Sequence, residues 1–360
     1  MTRVFLIGPA TVDPPAGAVG AAARNKLIGL ADAVARAGGR VWLVSTLPAA
    51  RALAHRRRVA FAALPTRGTR AGRRFSAALT LAAFGLRRIH AADRVILYNP
   101  FPEYLPLALL LRLRGTPATL DIEDAPTSAR GLLQRVTRWT YRALTALTRP
   151  GRIVASRELA ARLGLARVLP VYGVAEPAAP VVRFTAPELL VQFGGSLLPE
   201  TGLALFRQAV RLLPPGAPIR FVVTGIAPAG ALDGLPESVT VAAGLDDAAY
   251  RALLARVDVA LSLKLPSSEM GQTTFPSKTI EIAAAGILLV TTAVSDVPLL
   301  FDDRCAVILK GEDPRELADA LLAIAHDRAE AARRAEAGRA RVAERLAPAA
   351  IGRALLDFTA

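Results

Sequence analysis

The chain is short of several things at once. Cysteine occurs once in 360 residues, at Cys305, so no intrachain disulfide can form. That fits a reducing compartment. Lys26, Lys264, Lys278 and Lys310 are the only lysines among 45 basic residues. Histidine is limited to His55, His90 and His326, with no Cys/His spacing that suits zinc. Aromatic residues amount to 5%. There is no aromatic-rich ribonucleoprotein motif and no continuous basic helix, so nucleic acid is not the expected partner. Long hydrophobic runs are missing too. The uncharged run from Ile282 to Ser295 falls well short of the roughly 20 residues a membrane-spanning helix needs. The N-terminal "MTRVFLIGPATVDPP" has an apolar run at the lower limit for a signal peptide, and no clean small-residue cleavage site follows. It reads better as a first β-strand entering a loop. The expected location is therefore cytoplasmic.

What is present is aliphatic and basic. The hydrophobic fraction is 52%, and the length suits two domains that each bury a core. The formal charge of +15 points to an anionic partner: a nucleotide or an anionic lipid surface. Part of that charge reflects the Ala- and Arg-rich usage of a GC-rich genome.

Element types alternate along the chain. "RVFLIG" reads as a strand buried on both faces, "AARNKLIGLADAVARAGG" as a helix closed by glycines, and "RVWLVST" as the next strand. This β-loop-α-β unit is the building block of a parallel sheet. It recurs to "ARVLPVYGVAEPAAPVV", whose Pro/Ala-rich end places a domain boundary near Ala175 to Val182. A second series starts at "ELLVQFGGS" and ends in one long helical stretch, "PRELADALLAIAHDRAEAARRAEAGRARVAERLA". The expected fold class is α/β, with two Rossmann-like doubly wound domains facing a cleft and ligands at the carboxyl ends of the strands.

Glycine turns follow strands in both halves: Gly17 and Gly20 in the first, Gly194-Gly195-Ser196 in the second. Such turns let a backbone approach a phosphate. Neither matches G-x-G-x-x-G, and a plain tight turn is the alternative for each. "FPSKTIEIAAAG", Phe275 to Gly286, carries more information. Pro276 and Ser277 read as a helix start, with Ser277 as cap. Lys278 in a first turn is disfavoured by the helix dipole unless an anion sits there. Glu281 lies one turn on, along the same flank. A helix start plus Lys holds a diphosphate, and a carboxylate one turn in accepts hydrogen bonds from vicinal hydroxyls. Together these meet the demands of a nucleoside diphosphate. The alternative is a surface Lys-Glu pair. "DIEDAP" contributes Asp121, Glu123 and Asp124 at a strand end. "RAGRRFSAALTLAAFGLRR" is an apolar run between arginines, either a sheet-flanking helix or an attachment to an anionic membrane face.

"FPSKTIEIAAAGILLVTT" resembles the donor segment of family 4 glycosyltransferases of the GT-B fold, with its Pro-x-Lys-x-x-Glu-(small run)-Gly pattern. "PPAGAVGAAARNKLIGLADAVARAGGRVWLVST", "RIVASRELAARLGLARVLPVYGV", "LLVQFGGSLLPETGLALFRQAV" and "VTVAAGLDDAAYRALLARVDVALSL" follow in that family's order. The resemblance implies a retaining transferase that moves a sugar from a nucleotide-sugar donor to a cell-surface glycan or lipid-linked acceptor. It needs no cofactor or metal. The arginine-bracketed run adds, as the alternative to a sheet-flanking helix, peripheral attachment on the inner face of the cytoplasmic membrane. Residues 1–178 would form the acceptor-side domain, 179–345 the donor domain, and 346–360 a helix returning to the first domain. Glu281 would bind the ribose. Ser277, Lys278 and the following amides would meet the diphosphate, with Gly194, Gly195, Ser196, Lys264, Thr273 and Thr274 in the same pocket and Gly244 near the base. Gly17 and Gly20 would close over the donor, and Glu123 and Asp124 would face the sugar or acceptor. Lys278 would stabilise the departing diphosphate, whose phosphate takes the acceptor's proton.

The sequence departs from that pattern. Thr273 stands where a second Glu is common, Gly195 and Thr201 where Arg and Lys are common, and Glu123 where a His is common. Two other readings stay open. One is a non-catalytic partner of another transferase, favoured by Thr273. The other is a nucleotide-sugar epimerase, which would need acid/base residues that the three histidines do not place in the donor motif.

Overall fold

The computed structural model describes residues 2–10, 21–47, 53–56, 58–64, 66, 70–123, 131–149, 151–242 and 244–360. Gly17, Gly20 and Asp124 lie outside them. The chain divides into two compact units, Met1–Val174 with Leu346–Ala360, and Ala175–Arg345.

The first unit runs β1 (Arg3–Ile7), α1 (Ala21–Arg36), β2 (Arg40–Ser45), β3 (Leu53–Arg56), β4 (Val59–Ala63), α2 (Arg70–Arg88), β5 (Arg94–Tyr98), α3 (Leu105–Leu113), β6 (Ala118–Ile122), α4 (Leu132–Leu147), β7 (Arg152–Val154), α5 (Arg157–Arg162) and β8 (Val168–Pro170). Its sheet has the order β3-β4-β2-β1-β5-β6-β7-β8. Every pairing is parallel except β3 with β4. The central strands are buried on both faces, which is why they read as continuous apolar runs. The chain moves outward from β1 to β2 and β4, then crosses back to β5. The switch point therefore lies between the carboxyl ends of β1 and β5.

The second unit runs β9 (Leu189–Ser196), α6 (Leu203–Leu212), β10 (Ile219–Ile226), β11 (Val239–Ala242), α7 (Asp247–Leu254), β12 (Val259–Ser262), α8 (Glu269–Thr273), α9 (Lys278–Ala284), β13 (Leu288–Thr292), α10 (Val297–Leu300), β14 (Val307–Leu309), α11 (Pro314–His326) and α12 (Arg328–Arg345). Its six parallel strands have the order β11-β10-β9-β12-β13-β14, so the switch point falls between β9 and β12. Phe206 of α6 stacks on Phe193 of β9 at 4.9 Å and meets Phe221 of β10 edge-on at 5.6 Å. The buried carboxylate of Asp258 accepts the amides of Phe184 (2.6 Å) and Leu190 (3.0 Å). Arg183 donates to the carbonyls of Leu254 (3.0 Å) and Ala285 (2.9 Å). These bonds tie the segment entering the unit to its sheet.

The long C-terminal helical stretch is two helices rather than one. Asp327 ends α11, then caps α12 by accepting the Glu330 amide at 2.9 Å. Pro348 then opens α13 (Pro348–Phe358), which belongs to the first unit and packs on α1. The two helices approach very closely at Gly352: a Cβ there would lie 2.0 Å from the Ala33 carbonyl oxygen and 2.9 Å from Ala37 Cβ. Arg149 Nη1 donates to the Ala360 carbonyl at 2.7 Å, which fixes the helix end.

Gly352→Val should cost about 1–3 kcal/mol or more by forcing α13 off α1. Gly311→Ala, at a site with open space around it, should be near neutral. Urea denaturation of both variants checks this, and equal stability of the two would count against the close packing.

Candidate functional site

In the second unit the donor-type residues gather at the carboxyl edge, beside the switch point. Residues Gly194, Gly195 and Ser196 of β9 pair in register with Thr224, Gly225 and Ile226 of β10. The two strand ends are so close that side chains are excluded. A Cβ on Gly194 would fall 2.3 Å from Thr224 Oγ1 and 2.4 Å from Gln192 Nε2. Gly225, at φ +116°, would clash with the Gly195 backbone at 2.0 Å. Gly195 sits at φ +122°, and the space a Cβ would enter is bounded by Lys278 Nζ at 3.2 Å. The structure thus brings Gly194, Gly195 and Lys278 together.

Lys278 and Glu281 do not form an ion pair within 4.0 Å; none of the described ion pairs involves them. Burial lowers the Lys278 pKa, and Glu281 offsets part of that. Glu281 opens to solvent, yet the surrounding atoms withhold enough water to push its carboxyl up, with Lys278 pulling the other way. The arrangement is a cation and an anion held near each other but not neutralised, which a surface pair would not explain.

Three neighbours escaped the sequence reading. Gln192, buried inside the apolar β9, donates to Thr224 Oγ1 at 2.6 Å. Tyr250 of α7 lies near Gln192 and Glu281. Burial raises the Tyr250 hydroxyl pKa, and the nearby Glu281 charge adds to it. A lone Gln in "LLVQF" was the available signal, because a buried amide must find partners.

Other expectations need correction or refinement. Ser277 does not cap α9 with its side chain; its backbone is already helical. Thr279 Oγ1 donates to the Pro276 carbonyl at 2.7 Å, tying the first turn to the residue before it. The amides of Thr279 and Ile280 donate to the carbonyls of Pro276 and Ser277, so these amides are already engaged. Lys264 donates to the Thr274 carbonyl at 3.2 Å, bracing the loop after β12. Ser196 accepts a bond from Thr201 through its carbonyl. Gly244 is an exposed turn residue at φ +67° with open space around it. Thr273 lies at the end of α8.

The first unit gathers charge at its own carboxyl edge. Glu123 follows β6, and its carboxylate is bonded by Lys26 of α1. Lys26 also reaches Asp121 at 3.3 Å. Asp121 is fully buried, with its Oδ2 unpartnered. The Glu123 amide donates to Asn99 Oδ1 at 2.8 Å, and Asn99 takes φ 57° to present it. Burial opposes the Lys26 charge, but Asp121 and Glu123 outweigh it and hold its pKa above the ordinary lysine value. Glu123 is pushed up to about 7, first by burial and then by the Asp121 charge, against the pull of Lys26. Lys26 was not singled out from sequence. It stands ninety-five positions before Asp121, and only the fold joins them. Among the described residues no group of three or more His, Cys, Asp and Glu could hold a metal.

Residues 203–357 match the family described as Glycosyl transferase-like. No curated protein matches the chain by sequence. Solved structures match it along its whole length. Sucrose-phosphate synthase from Thermosynechococcus elongatus superposes with a TM-score of 0.72 at 16% identity, covering 99% of this chain and 98% of that one. Anabaena HepE in complex with UDP and glucose gives 0.69 at 14%, covering 99% of each chain. A glycosyltransferase from Rickettsia africae gives 0.69 at 10%, covering 99% and 97%. These likenesses establish the fold: two Rossmann-like units of the GT-B class. The matched stretch spans most of the second unit and extends into α13.

Two variants test the first-unit cluster. Lys26→Met strands two buried carboxylates and should cost about 3–5 kcal/mol at neutral pH, less at pH 5. Glu123 holds a proton in the folded state that the unfolded chain gives up. Its contribution to stability therefore falls as pH rises from about 4.5 to about 7. Glu123→Gln should flatten that slope in a pH series of denaturation curves, and an unchanged slope would refute the assignment.

Proposed function

We propose that the protein is a retaining glycosyltransferase that moves a sugar from a nucleoside-diphosphate sugar to a cell-surface glycan or lipid-linked acceptor. The observation that carries this reading is the Lys278 ammonium lying against the side-chain-free end of the central strand, 3.2 Å from where a Gly195 Cβ would stand, with Glu281 one helical turn away. A partly dehydrated lysine against bare backbone would supply a diphosphate with a counter-charge. The anion would in turn restore the ammonium, whose charge burial now disfavours. Glu281 would accept hydrogen bonds from ribose hydroxyls. Tyr250 lies near enough for the Glu281 charge to raise its hydroxyl pKa.

In the reaction the bond between the anomeric carbon and the diphosphate breaks, and negative charge grows on the leaving phosphate. Lys278 stabilises that charge. The leaving phosphate takes the acceptor's hydroxyl proton on the face where the new bond forms, so configuration is retained. No step is routed through a metal. In the first unit Glu123, with Lys26 as its partner, would face the sugar or acceptor.

A panel of nucleotide sugars with detection of released nucleoside diphosphate tests this. Lys278→Ala should lower kcat by about 10²–10³. Glu281→Ala should raise the donor KM with a smaller effect on kcat, and chelator should leave turnover unchanged. Wild-type activity in Glu281→Ala would remove the ribose assignment. Donor binding without turnover for any sugar would favour the non-catalytic reading that Thr273 supports.

A further inference from the structure

The first unit has an open pocket of about 290 Å³ at the carboxyl ends of β2 and β4. None of Lys26, Asp121 and Glu123 lines it. Thr46 and Leu47, just after β2, and Thr66, just after β4, form one wall. Hydrogen bonds fix that wall. The Leu64 amide donates to the Ser45 carbonyl at 2.6 Å, the Leu47 amide to Ser45 Oγ at 3.0 Å, and Thr66 Oγ1 to the Thr46 carbonyl at 3.3 Å. The opposite wall is the start of α2. Arg73 and Arg74 stand four and three residues before the buried Ala77, so all three share one helical face. Both arginines are open to solvent.

Glu103 completes the pocket. It lies in the single turn Pro102–Tyr104, which follows β5 and packs on α2. Tyr104 anchors that turn by donating its buried hydroxyl to the Tyr98 carbonyl at 3.2 Å. Glu103 is half-buried, and its Oε2 is withdrawn from water with no hydrogen-bond partner among the described residues. Burial pushes the carboxyl pKa up, and the Arg74 charge pulls it the other way. Among the described residues neither arginine closes on it: Arg73, Arg74 and Glu103 form no ion pair within 4.0 Å. A carboxylate that has lost water and gained no donor is an unfavourable end state, and a donor entering the pocket would relieve it.

We propose that this pocket binds an anionic polyol the size of a single sugar, with its phosphate or carboxylate on Arg73 and Arg74 and a hydroxyl donating to the Glu103 carboxylate. Two guanidinium groups against one carboxylate leave the pocket net positive, and their forked donors match either anion. Each simpler ligand meets only part of the lining. An inorganic anion would use the arginines but be repelled by Glu103. A neutral polyol would satisfy Glu103 and leave both guanidinium groups unused. Leu47 and Ala77 add apolar lining for the C–H side of a ring. The volume is at the small end of the roughly 300–1,000 Å³ of ligand pockets, which suits one ring and not a glycan chain. Use of this ligand as an acceptor rests on the sugar-transfer reading, but its binding does not.

Calorimetric titration of the full chain, without any nucleotide sugar, tests this with glucose 6-phosphate, glucuronate, glucose and inorganic phosphate. At least one of the two anionic sugars should bind on the order of 10-fold more tightly than glucose or inorganic phosphate. Which of them binds identifies the anionic group. Arg73→Ala with Arg74→Ala should weaken that binding on the order of 10-fold or more, with the helical signal unchanged because both side chains are exposed. Glu103→Gln should act in two directions. Inorganic phosphate should bind more tightly once the repulsion is gone, while the preference for the anionic sugar over it shrinks. No binding of either anionic sugar, equal binding of glucose or inorganic phosphate, or binding unaffected by the variants would overturn the proposal. The two readings fail separately. Transfer to other acceptors by a chain that binds neither anionic sugar would sink the pocket alone, and binding without nucleoside diphosphate release from any donor would sink the transfer reading alone.

Discussion

Where β9 and β10 end side by side, there is no room for a side chain at Gly194 or Gly225, and the second unit's functional edge follows from that constraint. A Cβ at position 194 would strike Gln192 and Thr224, and one at position 225 would strike the Gly195 backbone. With those positions bare, Gln192 can bridge to Thr224 across the strands. Lys278 can lie along the strand end instead of turning to solvent. Tyr250 stands near Gln192 and Glu281. Strands β9 and β10 and helix α9 thus meet closely because three glycines carry no side chain there.

The first unit reaches its carboxyl edge by the opposite means. There the space is filled by charge, with Lys26 shared between the buried Asp121 and Glu123. Such a cluster adds little net stability over an apolar replacement, because three charges must lose water to form it. Its value lies in fixing α1 against the end of β6 and in holding Glu123 near neutrality, where a carboxyl can both give and take a proton. One edge is preorganised by absence, the other by buried charge.

Much of this was legible in the sequence, and the reasons divide cleanly. Alternation of buried strands and amphipathic helices is a local property, so "RVFLIG" and "RVWLVST" could be read directly. Gly194-Gly195 and the Lys278-to-Glu281 spacing are also local, and the structure brings Gly195 and Lys278 together. The short elements β3, β8, α8 and α10 were not foreseen, since three to five residues carry no periodicity. The break at Asp327 hid inside a continuous helical pattern, because a residue that ends one helix and caps the next leaves the apolar spacing intact. Ser277 looked like a cap, but its backbone is already helical and no side chain caps α9. Lys26, Gln192 and Tyr250 owe their roles to residues distant in sequence. No local pattern reveals them.

The departures from the resembled pattern make physical sense at two positions. An arginine in place of Gly195 would have to adopt φ +122° and push a side chain into the volume that Lys278 fills. In this chain the helix lysine therefore stands where a strand-end cation would have been. Thr201, where the resemblance expects Lys, spends its hydroxyl on the carbonyls of Ser196 and Leu198, both at 2.8 Å. It closes the glycine turn and offers no charge. Lys264 likewise spends a bond on the Thr274 carbonyl. Lys264 keeps its charge while bracing the loop after β12, and Lys278 is the cation that lies against the bare end of β9. The cations of this edge thus come from that loop and from α9, not from the strand end itself.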